Sequence, residues 1–255
     1  MWIDSHCHLN ALKCDDVDEA LTQARGRGVE AFVCISTHFD NCAEVVGFAE
    51  AHDDVWATVG VHPLDLKSAI DSLDPIKPWL DHPKVVAIGE TGLDYYYSEE
   101  SAEIQRASFA QHIDLAIESQ LPVVIHSRSA KADSLAMLKE GAQSGLRGVL
   151  HCFTEDWDMA QQALEWGFYI SFSGIVTFKN ADALREVASR VNVERMLVET
   201  DSPYLAPVPF RGKPNEPKYV VEVGEFLADW LGMDKAELAE ATRRNTRTLF
   251  NRMTG

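Results

Sequence analysis

The residues Met1-Trp-Ile-Asp-Ser-His6-Cys7-His8-Leu9 form a short apolar run that carries two histidines one residue apart. In an extended strand the side chains at i and i+2 point to the same side, so the rings of His6 and His8 are predicted to converge. Such a pair suits a metal ion, although His-x-His alone fits two unrelated histidines equally well. Asp4 has the same parity and is expected to line this interior or to fix the tautomer of a ligating ring. The run therefore predicts a strand that ends in functional groups.

The same unit, an apolar run followed by a helical pattern, recurs along the chain. Runs too continuous to be half exposed indicate a parallel sheet covered by helices, and eight such strands close a barrel. An open doubly wound sheet is the alternative, disfavoured because no Gly-rich dinucleotide turn follows the first strand. We therefore predict an α/β protein, a (β/α)8 TIM-type barrel forming a single domain over residues 1–255 with extra C-terminal helices. The predicted strands lie near residues 1–9, 30–36, 55–61, 85–89, 121–125, 148–150, 168–172 and 195–199, and the first and last helices span 15–28 and 234–253.

Composition limits the classes of function. The chain of 255 residues has a formal charge of −17 and five cysteines without CxxC pairs, which indicates reduced thiols. No signal region or membrane-spanning run is evident, so we expect a soluble, cytoplasmic monomer without membrane contacts. A tight duplex binder is disfavoured because phosphate binding usually depends on clustered Lys and Arg. Bound divalent cations would still allow a small or terminal phosphate as substrate.

Acidic and histidine side chains follow the predicted strands at their carboxyl ends, where barrel enzymes carry their active sites. Four histidines and two carboxylates at these ends exceed the three or four protein ligands of one catalytic zinc, so the sequence predicts two metals. The remaining histidines are expected on the surface or in caps, apart from His62, which also follows a strand. The six candidate ligands are His6, His8, Glu90, His126, His151 and Asp201, and the surface or capping set is His38, His52, His82 and His112.

Several motifs together resemble the TatD family of metal-dependent hydrolases, within the amidohydrolase-like barrels. They are Asp4-Ser-His-Cys-His-Leu9, Gly60-Val-His-Pro63, Gly89-Glu-Thr-Gly-Leu-Asp-Tyr95, His126-Ser-Arg128, His151-Cys-Phe153, Glu199-Thr-Asp-Ser-Pro-Tyr-Leu-Ala-Pro207 and Arg211-Gly-Lys-Pro-Asn-Glu-Pro217. Asn10 stands where an Asp is usual in the family. The resemblance implies that His6, His8, Glu90 and Asp201 hold one metal, and that Glu90, His126 and His151 hold the other. Glu90 would bridge the pair and Asp201 would act as general base toward a metal-activated water.

The resemblance also implies a substrate class. It predicts a phosphodiesterase, a 3′-5′ exonuclease on single-stranded DNA or RNA, that takes nucleic-acid ends or nucleotides. The alternative is an ester or amide hydrolase, such as a deacylase of small molecules or of aminoacyl-tRNA, because paired metals also polarise a carbonyl. The imidazole-rich set suits Zn, Mn, Ni or Fe on purification, with Mg able to support activity. Predicted substrate contacts, for which barrel-rim packing is the alternative role, are His62, Asp94, Tyr95, Arg128 and Arg211.

Overall fold

A computed structural model describes residues 1–14, 16–66, 69–70 and 72–253. Within them, eight parallel strands pair in sequence order, as the apolar runs predict. The ring closes where β1 meets the segment after β8: Asp201 N donates to His6 O at 2.9 Å and His8 N donates to Ser202 O at 2.8 Å. The predicted (β/α)8 fold is thereby confirmed. The strands are β1 Trp2–Cys7, β2 Val29–Cys34, β3 Val55–Val59, β4 Val85–Asp94, β5 Val123–Arg128, β6 Gly148–Leu150, β7 Tyr169–Phe172 and β8 Met196–Val198.

Helices cover the outside of the ring. Their bounds are α1 Val17–Gly26, α2 Cys42–Ala51, α3 Ala102–Ser119, α4 Lys131–Gln143, α5 Trp157–Glu165, α6 Asp182–Arg190, α7 Val220–Leu231 and α8 Lys235–Leu249. The predicted start of the first helix, Asp15, lies outside the described residues; Asp16 caps α1 by accepting from the N–H groups of Asp18 and Glu19. Between β3 and β4 the described residues form two 3₁₀ turns, Pro63–Asp65 and Lys77–Trp79, instead of a barrel helix.

Two apolar clusters make the core. The larger lies between the strands and the surrounding helices. The smaller fills the end of the barrel where the strands begin, and it joins side chains of the strands to Leu249, Phe250 and Met253 from the C-terminal end of the chain. This apolar plug leaves the opposite end of the ring, where the strands finish, available for polar groups.

A close approach of two strands supports the centre of that polar end. A Cβ on Gly60, which follows β3, would lie 2.6 Å from the Cα of Gly89 in β4. Real Cβ atoms do not approach backbone so closely, so glycine at position 60 allows the two strands to meet directly beneath Glu90. Across residues 1–14, 16–66, 69–70 and 72–253, we find no helix with the length and apolar character needed to cross a membrane.

Candidate metal centre

The carboxyl ends of the strands bring all six predicted ligands to one cavity of about 630 Å³. His6 lies on β1, Glu90 on β4 and His126 on β5, whereas His8, His151 and Asp201 follow β1, β6 and β8. His6 is fully buried beneath the cavity, and the other five side chains line it. The volume is typical of sites that take one small molecule or one end of a chain.

The first group of side chains surrounds one oxygen of Glu90. Glu90 Oε2 is 3.3 Å from His6 Nε2 and 3.8 Å from His8 Nε2. Asp201 Oδ1 is 3.5 Å from His6 Nε2 and 3.3 Å from His8 Nε2. The two imidazole nitrogens are themselves 3.2 Å apart, as the strand parity of His6 and His8 predicts. Two nitrogens and two carboxylate oxygens thus point at one small volume.

The second group surrounds the other oxygen of the same carboxylate. Glu90 Oε1 lies 2.6 Å from His151 Nε2, 3.3 Å from His126 Nδ1 and 3.4 Å from His62 Nε2. The two oxygens of Glu90 therefore serve two separate sets of imidazoles. The rings of His6 and His151 stack at 3.8 Å, so the sets adjoin through these rings as well as through Glu90.

The donor set and its spacing fit divalent cations. Ligands about 2.0–2.1 Å from a tetrahedral ion lie about 3.3–3.4 Å from one another, close to the separations in the first group. Three buried polar atoms at the site, His6 Nδ1, His151 Nε2 and Glu199 Oε2, have no hydrogen-bond partner among the described residues. His151 Nε2 also lies only 2.6 Å from Glu90 Oε1, so an imidazole nitrogen and a carboxylate oxygen face each other at this point.

The electrostatics of the centre favour positive charge between the carboxylates. Burial raises the pKa of Glu90, but His151, His62 and His6 outweigh it and lower that pKa well below its usual value. Burial also raises the pKa of Asp201, but the hydrogen bond from His8 and the charge of His6 outweigh it, and the net effect lowers that pKa. Both carboxylates are therefore anions at neutral pH, available to hold cations.

Outer hydrogen bonds set the tautomers of three rings. His126 Nε2 is 2.9 Å from Asp94 Oδ2 and His151 Nδ1 is 3.2 Å from Glu199 Oε1, so these nitrogens donate to the carboxylates, and in the neutral rings the inner nitrogens carry the lone pairs. His62 is the opposite case, because its Nδ1 accepts from the N–H of Leu64 at 3.1 Å. In the neutral ring the proton of His62 then sits on Nε2, which faces Glu90.

The five predicted substrate residues separate into two sets. His62, Asp94 and Arg128 line the cavity. Asp94 is already engaged there, since its Oδ1 accepts from the N–H of Tyr97 and its Oδ2 from His126, so it orients neighbours rather than reaching for a sugar or base.

Tyr95 and Arg211 are not among the described residues that line the cavity, and both side chains have partners elsewhere. The hydroxyl of Tyr95 donates to Asp133 Oδ2 at 2.7 Å and accepts from Arg106, which fastens the ring to α3 and α4. The guanidinium of Arg211 lies 3.6 Å from the ring centroid of Phe178 on the exposed loop after β8. Two tyrosines outside the five predicted substrate contacts, Tyr97 and Tyr204, line the cavity instead.

The hydrogen bonds of Asp4 and His112 connect elements of the barrel and do not orient the histidine rings of the site. Asp4 accepts from the N–H and the hydroxyl of Thr200, at 2.8 and 2.6 Å, so it ties β1 to the segment after β8. His112 is fully buried, and the expectation of a surface or capping residue was wrong for it: its Nδ1 donates to Ser108 O and its Nε2 accepts from the N–H of Val61. The other three histidines of that set occupy caps and surface ion pairs: His38, His52 and His82.

Known proteins resemble the chain over nearly its whole length. The sequence model of one family, described as TatD related DNase, matches residues 3–251. The "Uncharacterized metal-dependent hydrolase YcfH" of Escherichia coli K12 is 45% identical over 253 residues, covering 98% of this chain and 95% of the relative. The "3'-5' ssDNA/RNA exonuclease TatD" of Klebsiella pneumoniae is 34% identical, covering 92% of each chain. The solved structure of YJJV, a TatD homologue from Escherichia coli K12, superimposes with a TM-score of 0.92 at 31% identity and 98% coverage of both chains.

Proposed function

Because the chain belongs to the family of TatD related DNases and is a metal-dependent hydrolase, we propose that it is a phosphodiesterase, a 3′-5′ exonuclease on single-stranded DNA or RNA. A relative that is 34% identical carries that activity in its name, which supports the substrate class. The cavity also suits an end of a single strand, because it is a pocket at the barrel mouth rather than a groove lined with basic residues.

The observation that carries the proposal is the division of the Glu90 carboxylate. Its Oε2 faces His6 and its Oε1 faces His151, at 3.3 and 2.6 Å, so one side chain serves two groups of ligands. In our proposal His6, His8, Glu90 and Asp201 hold one divalent cation, and Glu90, His126 and His151 hold a second. A bound pair supplies an activated water at neutral pH and offsets the charge that develops on phosphoryl oxygens.

The chain's own groups then have distinct tasks. Asp201 is the proton acceptor for the attacking water, since its carboxylate faces the cavity and is an anion at neutral pH. His62 is a hydrogen-bond donor toward a phosphoryl oxygen rather than a metal ligand, because Leu64 N–H occupies its Nδ1 and leaves the proton on Nε2. Asp94 and Glu199 hold the rings of His126 and His151 with their lone pairs directed inward.

Substrate profiling with metal analysis tests the proposal. Protein purified without chelator is expected to retain a transition metal, since imidazole-rich sites favour Zn, Mn, Ni or Fe over Mg. It should shorten single-stranded oligonucleotides from the 3′ end and lose this activity after exhaustive chelation. Oligonucleotides blocked at the 3′ end are the matched substrates, and the Asp201→Asn variant controls for contaminating nucleases.

The same profile includes aryl esters, lactones and aminoacyl-tRNA, because paired cations also polarise carbonyl groups. Rapid hydrolysis of one of these with no cleavage of any oligonucleotide would replace the exonuclease by a deacylase. Full activity in Mg alone, in protein that contains no transition metal, would contradict the expected metal but not the fold of the site.

A further inference from the structure

The mouth of the cavity carries exposed aromatic rings on opposite sides. Tyr97 and Tyr204 line the cavity while 62% and 56% of their surfaces remain exposed. Tyr97 follows β4 and Tyr204 follows β8, and strands four places apart in a ring of eight face each other across it. The two rings therefore belong to opposite walls, with the candidate metal centre between them.

A backbone hydrogen bond helps to position each ring at the mouth. Tyr97 N–H donates to Asp94 Oδ1 at 2.9 Å, which joins the ring's position to the residue that orients His126. Tyr204 N–H donates to the carbonyl of Asp201 at 2.9 Å, and the Tyr204 ring stands edge-on to that of His8 with centroids 5.9 Å apart. A planar group resting on Tyr204 would therefore lie beside the first group of ligands.

Positive charge at the mouth is concentrated at one point. Among the described residues that line the cavity, Arg128 is the one arginine or lysine. Its guanidinium carbon is 4.2 Å from the ring centroid of Tyr96 and 4.7 Å from that of Tyr97, so cation–π contacts with both rings hold the cation at this wall of the mouth. One cation provides one phosphate contact, and affinity for a longer substrate must come from another source.

We propose that Tyr97 and Tyr204 are stacking surfaces for two successive bases of a single strand, with Arg128 contacting a phosphate beside Tyr97. This inference rests on the proposed exonuclease function and adds the means by which the site selects single strands. Unpaired bases present free faces to aromatic rings, whereas in a duplex those faces are stacked on neighbouring bases. Stacking is also tolerant of sequence, so the site should accept all four bases.

The test combines substitutions with oligonucleotides that lack one base. Tyr97→Ala and Tyr204→Ala should each raise KM on an intact single strand about tenfold, as expected for the loss of one stacked base, with little change in kcat. On a strand with an abasic site at the matching position, the same substitution should add little, because the interaction is already missing. Fluorescence anisotropy in the Asp201→Asn background measures the corresponding loss of binding without turnover.

Conservative variants and a substitution outside the cavity provide the controls. Tyr97→Phe and Tyr204→Phe keep the ring face and should bind like the unsubstituted protein. Trp230→Ala removes an exposed ring on α7 that does not line the cavity, and it should leave KM nearly unchanged. Phe variants that lose as much affinity as the Ala variants, or equal binding of intact and abasic strands, would overturn stacking while leaving the exonuclease intact. Failure of the unsubstituted protein to bind or cut any oligonucleotide would instead reject the proposed function itself.

Discussion

Glu90 is the residue shared by both groups of ligands, and it is only 3% exposed. Replacing it by Gln keeps the shape of the side chain and removes the anionic charge that offsets two cations held close together. We therefore expect Glu90→Gln to retain at most one tightly bound metal per chain and to lose hydrolysis. His151→Asn removes a ligand from one group only and should keep the ion held by His6 and His8. Elemental analysis after gel filtration distinguishes the two results.

Thermal melting is the companion measurement for this pair of variants. Both proteins should remain folded, since the apolar plug that stabilises the barrel lies at the opposite end from these side chains. Two tightly bound metals and near-normal hydrolysis in Glu90→Gln would show that Glu90 is not the bridge, and the centre would then have to be assigned around Asp201.

Sequence alone was sufficient for residues whose direction follows from a strand. The convergence of His6 and His8 follows from the pleat, and the inner groups of Glu90 and His126 follow from their places near the ends of strands. The sequence was insufficient to predict the side-chain directions of the three successive tyrosines that follow Asp94. In that turn, the hydroxyl of Tyr95 pairs with Asp133 and Arg106, which lie 38 and 11 residues further along the chain, and strand parity alone does not predict such contacts.

Among the elements, β3 and β4 carry a steric requirement that fixes the position of Glu90. A Cβ on Gly60 would lie within 2.6–2.8 Å of three backbone atoms of Gly89. Gly60→Ala should therefore push the strands apart, reduce the free energy of unfolding by about 1–3 kcal/mol and weaken metal binding. Denaturant unfolding and metal titration measure the two effects.

Gly47→Ala is the matched control for Gly60→Ala. Gly47 lies within α2, and a Cβ there would have no atom within 4 Å beyond its chain neighbours and the backbone of its own helix. Because alanine is the better helix former, this variant should be more stable by about 0.5–1 kcal/mol. Equal and small effects at positions 47 and 60 would mean that the approach of β3 to β4 imposes no constraint.

His112 connects α3 to the residues after β3, and its burial predicts that the stability of the protein depends on pH. Burial lowers the pKa of His112 from 6.5 to about 4, because the neutral ring accepts from Val61 N–H in a fully buried position. The unfolded chain protonates this ring near pH 6.5 and the folded protein only near pH 4. The stabilising contribution is therefore complete above pH 6.5 and is lost, to the extent of about 3 kcal/mol, as the pH falls toward 4.

Unfolding free energies of the unsubstituted protein and His112→Gln between pH 7 and pH 4 provide the measurement. The difference between the two proteins should shrink as the pH falls, since the variant has no imidazole to protonate. His52→Gln, at a histidine that pairs with Asp18 on the surface, is the control and should show a difference that is small at every pH. A constant difference for His112→Gln would exclude a neutral buried ring.

Strand patterning predicted the order of the elements, but polar ends hid some of their lengths. The apolar run 85–89 suggests a short β4, whereas the strand continues to Asp94 because Thr91–Asp94 pairs with Ile125–Arg128 of β5. This stretch, Thr-Gly-Leu-Asp, is not a continuous apolar run, so its strand character is visible only through the pairing. Between β3 and β4, the described residues form 3₁₀ turns where a regular barrel would have a helix.

On the scale of the whole molecule, a charge of −17 leaves little general attraction for a polyanion. With Arg128 as the single Arg or Lys among the described cavity residues, we expect a log–log slope of affinity against salt of about −0.7 for a single strand. Binding measured by anisotropy from low to moderate salt gives this slope. Covalently closed duplex should not be nicked. A slope steeper than about −3 would mean that several phosphates are neutralised elsewhere on the surface.

Closure of the ring has a consequence for how the protein matures. Asp4 and Thr200, whose hydrogen bond joins the first strand to the segment after the last, are 196 residues apart, whereas Asp94 and His126 are separated by 32. During synthesis, the groups around His126 emerge early, but the partners of His6 and His8 are incomplete until Asp201 has left the ribosome. Contacts of such long sequence separation form late, because the entropy of closing the loop must be overcome first. A nascent chain would therefore acquire its full metal complement as one of the last steps of folding, and hydrolysis would begin only in a finished barrel.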